Sequence, residues 1–208
     1  MNANAFSRRI YTWPEFITAA RNVFCHMDDL RSAARAGRIS KAFAEKIMLA
    51  VTRVNGCRYC AYGHTRAALD AGVPETEIQC LMSGELGCFP EQEAVALAFA
   101  QHYAESASQP DPAAQQRLLD YYGAETAQDI QAYLRMITFG NLYGNTFDAF
   151  LSRLAWKPAE AGSLWGELGV LLGVFVLVPI EMIKHLFHNR SSRSKTSGFH
   201  PDILVKEK

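Results

Sequence analysis

The chain has 208 residues, which suits one domain, or one domain plus an appendage, with a sizeable core. Its 21 basic and 21 acidic residues cancel, so nothing in the charge recruits nucleic acid in bulk, and 49% hydrophobic residues is ordinary for a globular protein. Five cysteines, an odd number with one closely spaced pair, make a poor disulfide framework and fit a reducing compartment with one reactive pair. Arg8-Arg9 hints at a twin-arginine leader. Trp13-Pro14-Glu15 follows, however, where an apolar run of about 7–15 residues is required, so the expected location is the cytoplasm.

In chain order, Thr12-Trp13-Pro14-Glu15 has the pattern of a capping box and opens a helix with Phe16, Ala19, Ala20, Val23 and Met27 at helical spacing. Ser40 caps a second helix whose apolar stripe is Phe43, Ile47, Ala50, Val51 and Val54, with Asn55-Gly56 as a left-handed stop. The next helix spans about 57–71 and ends at Gly72, before Pro74. A short helix holds Ile78, Leu81 and Met82, the stretch 83–90 reads as a loop, and an alanine-rich helix covers about 91–105. Asp111 and Pro112 open a further helix that Gly123 can close, and another runs over about 125–139. No period-two alternation and no internal repeat is visible, so the expected fold class is all-α.

The stretch 168–180 is apolar on every side and bounded by Glu167 and Glu181. At about 1.5 Å per residue it is roughly 20 Å long, short of a bilayer core of roughly 30 Å. Burial in the protein or in an oligomer is therefore the leading expectation. The basic residues that follow, Lys184 to Lys195, make peripheral membrane contact through 168–180 the second. The expected organisation is a helical domain over 1–160, an apolar helix with a basic flank over 161–190, and a polar, flexible tail over 191–208.

The chemistry concentrates at Cys57-Arg58-Tyr59-Cys60 and His64. These thiols and the imidazole fall at i, i+3 and i+7, one face of a helix. Cys57 lies near a helix N-terminus, where free amides favour a thiolate. Cys60 has His64 one turn away as base, and Glu45 on the preceding helix can orient that imidazole. With a peroxide, one thiolate becomes a sulfenic acid and the other condenses with it to a disulfide. An external dithiol must then reduce the pair. The same residues can instead exchange disulfides. The bland readings are a structural metal site, with Glu45, Cys80 or Cys88 as fourth ligand, and inert buried thiols. From the residues alone the nucleophile stays open, since the helix dipole favours Cys57 and the histidine favours Cys60.

Glu45, eleven residues, and Cys57-x-x-Cys60-x-x-x-His64 together resemble the signature of the AhpD-like alkylhydroperoxidases of the carboxymuconolactone decarboxylase superfamily. Val54-Asn55-Gly56, Ala71-Gly72-Val73-Pro74 and the block Gly140-Asn141 to Asn145-Thr146-Phe147-Asp148 agree, so that the likeness covers about 40–155. It implies an all-helical bundle assembled as a trimer or hexamer. It also implies a thiol-dependent hydroperoxide reductase with Cys60 as the peroxide-reactive thiol, Cys57 as the resolving thiol, and His64 and Glu45 as a proton relay. No cofactor and no metal is implied; the partners are a peroxide or small disulfide and an external dithiol reductant protein. Tyr59 departs from the pattern, because the well-characterised peroxidases have a second histidine there, and a tyrosine hydroxyl is a poor base near pH 7. A lactone decarboxylase-like activity on a small cyclic acid is a rival reading that does not depend on the two thiols.

The remaining candidates read as structural. Cys25, Cys80 and Cys88 are expected to be small apolar residues, with Cys88 the most exposed. Tyr59 and Tyr62 are expected to pack. His26, His102, His185 and His188 lack matching partners in the sequence. Asn141, Asn145 and Asp148 are expected to tie helix ends together by side-chain hydrogen bonds.

Overall fold

The computed structural model describes residues 6–157 and 161–196, with side chains as far as Glu181 and at Ile183 and Lys184. Among the described residues the regular structure is helical, without a strand: α1 Trp13–Cys25, α2 Met27–Ala36, α3 Lys41–Asn55, α4 Arg58–Asp70, α5 Glu75–Ser83, α6 Glu91–Glu105, α7 Pro112–Leu154 and α8 Leu164–Thr196. The expected all-α class holds.

Local chemistry sets most of the ends. At α1 the Thr12 hydroxyl meets the Glu15 amide while the Glu15 carboxylate accepts from the Thr12 amide at 3.0 Å, which completes the capping box. The Ser40 hydroxyl caps α3, and Gly56, at φ 70°, closes it. Asp111 caps α7 through the Ala114 amide at 2.7 Å.

α3 is the centre of the core, with Ile47, Leu49, Ala50 and Val51 fully buried among α4, α5, α6 and α7. Lys46 is also buried, its ammonium 2.6 Å from Glu77 and 2.7 Å from Glu93. A second cluster of Tyr11, Phe16, Leu142 and Val170, with Phe139 and Tyr143 packed against it, joins α1 and α8 to α7.

Gly123, at φ 74°, breaks α7 into two helical segments, as expected. Three other expectations change. The second segment of α7 does not stop near 139: the 140–148 block lies inside it, and it continues to Leu154. The apolar segment belongs to a longer helix. α8 contains Pro179 and runs on to Thr196, so 191–196 are helical, while 197–208 lie outside the described residues. Nor is α8 buried all round. Val170 and Glu167 face inward, with Glu167 paired to Arg153 at 2.8 Å, whereas Leu172, Phe175, Val176 and Ile183 are exposed. Leu164–Glu181 of α8 is the one described helical stretch long and apolar enough to cross a membrane, and 17% of it is buried.

Candidate functional site

The site is built on the turn from α3 to α4. Gly56 in the left-handed region lets the chain reverse, and Cys57 follows as the N-cap of α4, in extended backbone. Its sulfur takes the place usually filled by a serine or aspartate oxygen, accepting the Cys60 amide at 3.3 Å. Cys57 is fully buried and Cys60 partly exposed; both are free thiols.

The two thiols share a proton unequally. The Cys60 thiol donates to Cys57, the Cys60 and Tyr59 amides add to it, and the Arg8 guanidinium contributes charge. Against the opposing effect of burial, these bring Cys57 down to about 7. The same bond and burial push Cys60 far above the ordinary thiol range. Of the two thiols the hidden one, Cys57, therefore ionises first, while the accessible Cys60 keeps its proton.

Glu45 and His64, from α3 and α4, meet as expected: the carboxylate Oε2 lies 2.7 Å from His64 Nδ1. Glu45 is buried and His64 about a quarter exposed. Among the described residues no hydrogen bond joins His64 to Cys60. The carboxylate–imidazole pair thus stands one helical turn from Cys60. The Tyr59 ring packs on Phe147, and its hydroxyl accepts from Arg58 at 2.9 Å and lies 3.4 Å from Asp148. Tyr62, expected to pack, is exposed.

Sequence reasoning missed the back wall. α7 passes so close to the pair that a Cβ on Gly144 would stand 2.7 Å from Cys57 Sγ and 3.7 Å from Cys60 Sγ. Buried Asp148 receives the guanidinium groups of both Arg8 and Arg58, and Arg8 also donates to the Gly56 carbonyl at 2.8 Å. Asn145 donates to the Asn55 carbonyl at 2.8 Å and to the Arg9 carbonyl at 3.0 Å. Asn141 accepts from Thr52 at 3.1 Å. The asparagines and Asp148 do hold helix ends, as expected, and the end they hold carries Cys57. Arg8 reads in the sequence only as half of a twin-arginine pair; no local signal links it to Gly56.

Cys80 and Cys88 are not the small apolar residues expected: they form a disulfide. Their spacing of eight residues hid them, because only the turn at Gly84 brings the two together. They are bonded to each other and so are not ligands for a metal at Cys57. Among the described residues the one cluster of metal-type ligand atoms is Cys80, Glu85 and Cys88, which contains this bond. Cys25 is exposed rather than buried. His102 has a partner after all, Asp111, at 2.9 Å. The side chains of His185 and His188 lie outside the described residues.

Residues 22–102 match the family model described as Carboxymuconolactone decarboxylase family. No curated protein and no solved structure matches the chain. The matched stretch contains Glu45, Cys57, Cys60 and His64, whereas Arg8, Gly144, Asn145 and Asp148 lie outside it.

Proposed function

On the premise that residues 22–102 carry the carboxymuconolactone decarboxylase family domain, we propose that the chain is a thiol-dependent hydroperoxide reductase of the AhpD-like kind. The observation that carries this reading is the free Cys57–Cys60 pair, with the buried sulfur capping α4 and the Glu45–His64 pair beside it.

The accessible sulfur, Cys60, attacks the distal oxygen of the peroxide as its proton passes to Cys57. The O–O bond breaks, the alcohol leaves with a proton, and Cys60 becomes a sulfenic acid. Cys57 then gives its proton up to the Glu45–His64 pair and, as the thiolate, attacks Cys60 Sγ; the S–O bond breaks and the hydroxide leaves as water, taking that proton. Glu45 and His64 hold the protons exchanged with the leaving oxygens. The peroxide is reduced by two electrons and the dithiol becomes a disulfide. An external dithiol reductant returns it to two thiols by exchange.

The absence of a hydrogen bond from His64 to Cys60 favours one second reading, disulfide exchange without peroxide turnover, which needs no proton delivered to a leaving oxygen. Peroxide consumption under a dithiol reductant separates the two, measured for wild type, Cys57→Ser and Cys60→Ser. The expected result is turnover in wild type and none in either variant. In a single oxidation, titratable thiols should fall from Cys25, Cys57 and Cys60 to Cys25 alone. Full turnover in Cys60→Ser would sink the peroxidase assignment. A reversible disulfide without peroxide consumption would establish the exchange reading.

A further inference from the structure

Away from the thiols, a cavity of about 470 Å3 opens between α1, the α6–α7 connection and α7. Among the described residues, two donors on one face of α7 lack partners there. The Thr138 hydroxyl is buried, at 8% exposure for the residue, and makes no hydrogen bond, although a helical threonine ordinarily bonds back to the preceding turn. One turn earlier, Arg135 Nε is buried and equally unpartnered, while its Nη2 stands 3.7 Å from Asp29. Buried donors left without acceptors are rare in folded proteins and call for an explanation.

We propose that this cavity binds a small organic monocarboxylate, its carboxylate taken by Arg135 and Thr138 and its apolar body lying on Phe139 and Leu142. A guanidinium edge and a hydroxyl at i and i+3 present convergent donors, and a carboxylate is the acceptor that serves both. The charge of the lining selects a monoanion. Arg9 and Arg135 are the cations, and Glu15 is the single carboxylate, already engaged by Thr12 and lying 3.6 Å from Arg9. Tyr11 adds no anion, since burial holds its phenol protonated. Phe139 stacks on Phe16 and Tyr143, so the apolar wall is fixed before a ligand arrives. The site is independent of the thiol chemistry, whose residues do not line it.

The probe is 2-naphthoate, with the neutral 2-naphthamide as its isostere, titrated into the full chain by calorimetry. Saturable naphthoate binding at least about tenfold tighter than that of the amide is expected. Thr138→Val should weaken naphthoate about tenfold and raise the unliganded melting temperature, because it removes an orphaned hydroxyl. Arg135→Gln should weaken naphthoate at least as much, and Thr138→Val decides the matter alone if Arg135→Gln does not fold. Equal affinity for acid and amide, no saturable binding, or unchanged affinity in Thr138→Val would each overturn the proposal.

Discussion

Cys57 is at once a structural cap and the acid of a thiol pair, and the two roles reinforce each other. The amides that need an acceptor at the start of α4 are those that stabilise its thiolate. The sequence left the two cysteines in competition. The structure separates them by environment, with donors converging on Cys57 and exposure falling to Cys60. Read on Cys25→Ser to remove the third thiol, thiolate absorbance at 240 nm should rise by one equivalent with a midpoint of about 7. The second equivalent should stay unionised through the ordinary thiol range. Arg8→Gln should move the first midpoint upward, and an unmoved midpoint would remove Arg8 from the site. The sign for stability follows from the same shifts. Between about 7 and the ordinary thiol value of 9.0 the unfolded chain binds the Cys57 proton and the fold does not, so the pair's contribution rises with pH. Above that value the fold retains the Cys60 proton that the unfolded chain has lost, and the contribution falls.

At the scale of elements, the helices readable in the sequence are those with local signals: the capping box of α1, Ser40 and Gly56 around α3, and Asp111-Pro112 at α7. The continuation of α7 through Gly140, Asn141, Gly144 and Asn145 was not legible, because these are poor helix formers individually. What holds them is tertiary: Asn141 to Thr52, and Asn145 to Asn55 and Arg9. The contact between Glu45 and His64 was legible from spacing, since α3 and α4 are antiparallel neighbours across one tight turn. The close approach of α7 was not, since no residue near Cys57 in the chain announces it. Two glycines of this helix give a paired test. A Cβ at Gly140 meets nothing within 4 Å, so Gly140→Ala should stabilise by up to about 1 kcal/mol through helix propensity. Gly144→Ala drives a methyl against Cys57 Sγ and should destabilise by about 1–2 kcal/mol in urea unfolding, overpacking outweighing propensity. If both variants gain stability alike, α7 does not pack on the thiols as described.

Over the whole molecule, the matched family stretch of 22–102 contains the two thiols and the Glu45–His64 pair, and chain outside it packs around them: Arg8 from the N-terminal segment, and Gly144, Asn145 and Asp148 from α7. The second cysteine pair lies far from that division. The Cys80–Cys88 bond closes a loop of eight residues, and in the chain-entropy account a loop of this size restrains the unfolded state by about 2.5 kcal/mol. It also staples the chain across the exposed stretch around Glu85. A glutamyl endoprotease that nicks after Glu85 should therefore leave a molecule that migrates as one band at full mass on a non-reducing gel. The same sample should separate into two bands once reduced, and two bands on both gels would show that the staple is absent.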